Sequence, residues 1–252
     1  MFSFFKRSPI IDIDCFTCDG PVFEYAPIVN ASIAKPEWFE KVQKSSLKYE
    51  KIPGQRGLVK NNNITLRSCY GFLELFKRGI ILESWCDLAI ESSKESYDYH
   101  TSYDMKPPVY HDPVQYSPGF KNNFIVKLES PWLIKSKDPT PFMLIGAEWH
   151  LEDYDFKVLP GVLNFKSQSA LNVFISFRRK DDKFIIKMGQ ALLHIVPLEE
   201  KIIRLHNHLV TRPEFDALEL RSTFTSGWRS AFNLSKRNSK RNSKRQSKCP
   251  FT

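Results

Sequence analysis

From Phe124 to Pro197 the apolar residues come in short runs cut by Gly, Pro and Asp. That rhythm constrains the fold more than any other feature of the chain. The runs Phe124–Leu128, Trp132–Lys135, Phe142–Trp149, Phe156–Leu159, Leu171–Phe177, Phe184–Lys187 and Ala191–Pro197 read as strands. Many short strands separated by turn residues indicate a mainly β protein, an antiparallel β-sandwich or jelly roll. Within this region Leu159–Pro197 reads as strand, turn, strand, turn, strand, ending in a Gly-led hairpin arm. In the arm Phe184 and Ile186 alternate inward, Gly189 permits a tight turn, and Leu192, Leu193, Ile195 and Val196 bury the returning strand.

The first half of the chain is more mixed. Ile11 and Ile13, then Val22, Phe23 and Tyr25, suggest one or two strands around an Asp19-Gly20-Pro21 turn. Lys35-Pro36-Glu37-Trp38-Phe39 opens a short helix, with Pro in its first turn and Glu at its positive end. Breaks follow at Pro53–Gly57 and Asn61–Asn63. Thr65–Arg78 carries Leu66, Cys69, Tyr70, Leu73 and Phe76 at helical spacing, and Gly79 stands where a C-terminal cap belongs. Ile80–Ile90 reads as a strand, and 91–123 as a long loop or a hairpin around His100 and His111. A helix over Ile202–Val210 or Pro213–Leu220 would close the domain.

Length and charge fix the organisation. The 252 residues, 42% hydrophobic with 20 Phe, suffice for one globular domain, expected over 1–234. The segment Ser235–Lys248 repeats SKRN, SKRN, SKRQ and carries Lys236, Arg237, Lys240, Arg241, Lys244, Arg245 and Lys248 without an acid. Removing those seven charges from the net +9 leaves +2, so the basic character sits in the tail 235–252, which low complexity marks as disordered when free. Such a tail neutralises phosphates without reading sequence; packaged DNA, RNA, an acidic protein or anionic lipid would satisfy it. Trp228 and Phe232 would anchor it. No apolar run approaches the roughly 20 residues of a membrane span. The start MFSFFKRSPIIDIDCF places Lys6 and Arg7 after its apolar stretch, the reverse of a signal peptide, so an intracellular protein is expected. Cys15-Phe-Thr-Cys18 has C-x-x-C spacing but no second pair to complete a zinc site; Cys69, Cys86 and Cys249 make five reduced thiols.

The strand Phe156-Lys-Val-Leu-Pro160-Gly161-Val-Leu and the arm Lys183–Pro197 together resemble the dUTPase and dCTP deaminase family. There a Gly-Val-Ile-Asp hairpin precedes a strand and a Gly-Asp-x-x-Ala-Gln-Leu arm closes the barrel. The resemblance implies that scaffold but not its chemistry. Asn164 stands for the hairpin Asp, Lys166 and Ser167 lie near the place of the stacking Tyr, Gln190 replaces the arm's acid and His194 its Gln. Arg221-Ser-Thr-Phe-Thr-Ser-Gly227 is too poor in Gly for a phosphate-binding tail. Pyrophosphate hydrolysis needs carboxylates that hold magnesium, which these positions do not supply.

A second set of motifs spans about residues 25–200: Pro36-Glu37-Trp38-Phe39, Cys69-Tyr-Gly-Phe-Leu73, Gly79-Ile80-Ile81-Leu82, Cys86-Asp87, Ser130-Pro131-Trp132-Leu133-Ile134-Lys135 and Pro160-Gly161-Val162. Their order resembles an uncharacterised family of tailed phages of marine bacteria. It implies a phage setting, in the host cytoplasm or the virion, and no known activity.

Two histidine constellations remain. His150-Leu-Glu152 has the H-x-D/E form of non-haem iron oxygenases; with His194 it would make a facial triad, and Arg204 would bind 2-oxoglutarate. The alternatives are a solvated acidic turn for His150 and a hydrogen-bonded strand histidine for His194. His206-Asn-His208 on a strand places both imidazoles on one face; without an obvious third ligand, a surface or dimer-contact role is expected. Tyr97, Tyr99, Tyr103, Tyr110 and Tyr116 populate the long loop, as a binding surface or as rings packed on a sheet edge. The leading expectation is a non-enzymatic phage binding or assembly protein without a cofactor. It would contact nucleic acid or an acidic protein through its tail. The alternative is a diverged jelly-roll enzyme using iron and 2-oxoglutarate, or magnesium.

Overall fold

The computed structural model describes residues 9–50, 53–54, 56–57, 59–103, 106–112, 121–150 and 155–220. Its architecture is a β-sandwich. One layer is a six-stranded sheet in the order β11 (Phe156–Val158), β13 (Ala170–Arg178), β9 (Asn123–Lys135), β1 (Ile10–Thr17) and β16 (Ile202–Leu209), with β8 (Val109–His111) also on β9. The facing layer has five strands, β12 (Gly161–Leu163), β10 (Phe142–Gly146), β15 (Ala191–Pro197), β5 (Ile80–Glu83) and β2 (Val29–Asn30). A three-stranded sheet, β14 (Asp182–Ile186), β6 (Leu88–Ser92) and β7 (Tyr97–Thr101), continues the packing. The pairings are antiparallel except β1 with β16, which run parallel. β3 (Ser45–Glu50) and β4 (Val59–Ile64) form a separate ribbon.

The main core fills the space between the layers. Ile13, Trp132, Ile134 and Val173 come from one side and Ile80, Leu82, Phe142 and Ile195 from the other. Trp132 is fully buried, and its indole N–H donates to the Ala26 carbonyl at 3.2 Å, so the large ring adds apolar area without leaving a donor unpaired. A second, smaller core lies on the outer face of the five-stranded sheet. There Ile81 and Ala191 are covered by Phe39 of α2 (Glu37–Lys41), Phe76 of α3 (Tyr70–Lys77) and Trp149. That sheet is therefore buried on both faces, which is why β5 reads Ile80-Ile81-Leu82 without a polar residue between.

Several local expectations change. Asp19-Gly20-Pro21 does not turn between strands; Asp19 caps α1 (Gly20–Tyr25), its carboxylate accepting from Val22 N–H at 3.0 Å, with Pro in the first turn. Asn61–Asn63 lie within β4, paired with Lys48–Ser46. Ile80–Ile90 is two strands, because Trp85-Cys86-Asp87 takes the chain from one sheet to the next. Of the two closing helices, 202–209 is strand β16 and residues 212–220 form helix α4. The 91–123 region contains β7 and β8, with Tyr97 packed on Phe124 and Phe177 rather than displayed; Tyr116 lies outside the described residues.

The Leu159–Pro197 segment forms strands as read, but they do not pair with one another as hairpins. β12, β13, β14 and β15 lie successively in the five-, six-, three- and five-stranded sheets, and β13 pairs instead with β11, just upstream, and with β9. The arm is therefore no hairpin: β14 pairs with β6, and β15 with β5 and β10. Gly189, at φ 79°, lets the chain pass from one ladder to the next, and its N–H donates to Ser84 C=O at 2.8 Å. No helix among the described residues is long and apolar enough to cross a membrane.

Candidate functional site

A hydrogen-bond relay runs through the smaller core. Trp38 of α2 donates its indole N–H to Trp149 C=O at 3.1 Å. The Trp149 indole N–H donates to Nδ1 of His194, on β15, at 3.2 Å. Nε2 of His194 lies 2.7 Å from the carbonyl of Arg78, the residue that ends α3. A carbonyl only accepts, so Nε2 carries the proton and Nδ1 holds the lone pair that Trp149 uses. Burial holds the His194 imidazole below its ordinary range, which keeps this neutral tautomer in place. Gly79 makes the approach: at φ 90° a Cβ there would sit 2.3 Å from Ile195 O and 3.0 Å from His194 Nε2. The expected C-cap glycine is thus also the point where α3 touches the sheet.

This geometry bears directly on the oxygenase residues. His194 has both ring nitrogens committed and no lone pair free for a metal. His150 ends the 3-10 turn Glu148–His150 and packs on Trp149 with centroids 4.3 Å apart; its Nε2 is buried without a hydrogen-bond partner among the described residues. Burial, then the facing His194, pushes its pKa down to about 4, so it is neutral near pH 7. Glu152 lies outside the described residues. Arg204 is far from an oxygenase role: it projects from the outer face of the six-stranded sheet in a two-pronged pair with Asp12, whereas His194 faces outward from the opposite sheet. Among the described residues no three His, Cys, Asp or Glu side chains converge as a metal centre.

The positions compared with dUTPases serve the backbone. Asn164 donates to Pro139 C=O at 2.7 Å, accepts from Lys166 N–H at 3.0 Å, and its carbonyl receives Ser167 and Gln168 N–H, both at 3.0 Å. It builds the turn between β12 and β13. Gln190 closes the arm's turn by accepting from Lys187 N–H at 2.9 Å.

Two concave regions flank these features. A cleft of about 520 Å³ lies beside His150, lined by Lys35, Trp38, Lys41, Glu83 and Gly189; burial raises the Glu83 carboxyl, and Lys41 is tied to Glu37 at 2.7 Å. A second, of about 210 Å³, lies where α4 meets the sandwich, lined by Cys18, Lys106, Glu129 and Arg212. The C-x-x-C pair is divided by this geometry. Cys15 points into the core, with its thiol pushed well up by burial, and Cys18 lies past the strand end, 3.7 Å from the Arg212 guanidinium.

The outer face of β1 and β16 carries a charged row. The parallel register sets Asp12 against Arg204 and Asp14 against His206. His206 Nε2 meets Asp12 at 3.3 Å, and His208 Nε2 meets Asp14 at 2.9 Å while its ring stacks on Phe16. The H-x-H pair does lie on one strand face, as its spacing requires; the carboxylate partners on β1 were invisible in sequence because 194 residues separate each pair.

Helix α4 roots the C-terminal segment. Phe215 is buried against the sandwich, and Lys106 reaches both Glu129, at 3.2 Å, and Glu219, at 3.5 Å. The seven basic residues from Lys236 to Lys248, with Trp228 and Phe232, lie outside the described residues. No known protein family matches this chain, and no curated protein is similar to it in sequence.

Proposed function

We propose that this protein is a non-enzymatic β-sandwich binding or assembly module that engages nucleic acid, or another polyanion, through its C-terminal tail. The observation that carries the reading is charge segregation: seven of the net nine positive charges fall within Ser235–Lys248, with no acid among them. The fixed root at α4 supports it, since a buried Phe215 and the Lys106–Glu219 pair hold the chain just before residue 221. The setting we infer, from motif order, is a tailed-phage infection, in the host cytoplasm or the virion.

The enzymatic alternatives are disfavoured on particular atoms. An iron oxygenase needs a free nitrogen on His194, and both are bound. A magnesium-dependent nucleotide hydrolase needs a carboxylate where Asn164 instead ties Pro139 to Lys166. Deleting residues 235–252 tests the proposal: nucleic-acid affinity should collapse while the thermal transition of the sandwich stays in place. Unchanged affinity would refute it.

A further inference from the structure

The row on β1 and β16 contains an arrangement that the tail does not explain. His206 and His208 stand two residues apart on a strand, so both imidazoles project from one face. Their side chains are 43% and 41% exposed, with ring centroids 6.4 Å apart and planes within 28°. Each Nε2 is directed at a carboxylate, Asp12 at 3.3 Å and Asp14 at 2.9 Å. An ionised carboxylate only accepts, so in the neutral rings, the form that binds a metal, both Nε2 atoms carry the proton and both Nδ1 atoms keep the lone pair. A carboxylate fixing the tautomer and raising the basicity of the other ring nitrogen is the usual outer partner of a metal-bound histidine. Arg204, the neighbouring cation, is neutralised by its two-pronged pairing with Asp12.

We propose that His206 and His208 form a two-point binding site for a divalent transition-metal ion such as Zn2+ or Ni2+, with Asp12 and Asp14 orienting the rings and water completing the coordination. Two imidazoles on one tetrahedral ion bring their centroids to about 5 Å. The 6.4 Å observed closes to that by side-chain rotation, which half-exposed residues permit, and the carboxylates, 50% and 38% exposed, follow. Imidazole ligands select zinc, nickel or copper over magnesium or calcium. The site is independent of the tail proposal.

The test is calorimetric titration of the full chain with zinc chloride and, separately, nickel chloride near neutral pH under a reductant that does not bind metal. One ion per chain is expected. His206→Ala and His208→Ala should each abolish that binding, Asp14→Asn should weaken it by about tenfold or more, and His100→Ala should leave it unchanged. Because all four positions are at the surface, each variant's apo melting temperature should match the parent, which separates loss of binding from loss of folding. Binding that survives both histidine substitutions, or no binding by the parent, would overturn the proposal. An Asp14→Asn variant with full affinity would remove the orienting role.

Discussion

Replacing His194 by Phe probes the relay that joins the helices to the sheet. Phe retains the ring and most of the packing against Trp149, which lies 5.4 Å from His194 between centroids. It removes both hydrogen bonds, leaving the Trp149 indole N–H and the Arg78 carbonyl unpaired. A buried polar group that loses its partner costs about 1–3 kcal/mol, so His194→Phe should destabilise by about 2–6 kcal/mol. Trp149→Phe removes one donor and strands only Nδ1 of His194, at about 1–3 kcal/mol. In the double variant neither the Trp149 N–H nor His194 Nδ1 is left to be orphaned, so the two losses should fall short of their sum by about 2 kcal/mol or more. Urea unfolding of the four proteins, followed by Trp fluorescence and by far-UV circular dichroism, measures this. A His194→Phe loss below about 1 kcal/mol, or strict additivity, would refute the argument. The pH dependence gives a second check. The folded pKa values of His150 and His194 lie below their ordinary 6.5, so the folded state binds fewer protons than the unfolded one. The stability they contribute is full above about pH 6.5 and is lost as pH falls, for His150 through about 4. For His150 that amounts to about 1–2 kcal/mol once solvent screening of its exposed part is allowed for. His194→Phe should flatten the acid limb.

Other outcomes follow from single contacts. Gly79→Ala should cost about 3 kcal/mol or more in urea unfolding, since φ 90° is strained for Ala and its Cβ would meet Ile195 O at 2.3 Å. Phe215→Ala should cost about 3–5 kcal/mol locally, read as faster proteolysis and amide exchange in α4 with the sandwich's exchange unchanged. In thiol labelling under native conditions, exposed Cys69 should react early and Cys15, buried with a raised pKa, only on unfolding.

The β class was legible because the apolar runs from Phe124 onward are short and broken by turn residues. What sequence could not supply was partner choice. The turn at Pro160-Gly161 looks the same whether it makes a hairpin or a crossing between sheets, and only the two-sided burial around β5 and β15 decides it. Ile202–Val210 reads as one of two candidate closing helices because apolar and polar residues mix along it; edge placement of β16 beside β1 leaves Ile203 and Leu205 against the core and Arg204, His206 and His208 outside. Gly79 and Gly189 do take the positive φ that their places in the sequence suggest, although the turn at Gly189 joins two sheets rather than two arms of a hairpin. The His194 relay was visible only as a histidine between Leu193 and Ile195. Its partners, Trp149 and Arg78, lie 45 and 116 residues away.

The central claim, a tail that binds nucleic acid by charge alone, is tested most directly by salt dependence. Anisotropy titrations of a labelled DNA duplex with the full chain, repeated across ionic strengths, give the slope of log affinity against log salt. If the seven basic residues of Ser235–Lys248 each neutralise a phosphate, the slope is about −6, and it vanishes with the tail deleted. A slope near zero, or the same slope without residues 235–252, would contradict the account.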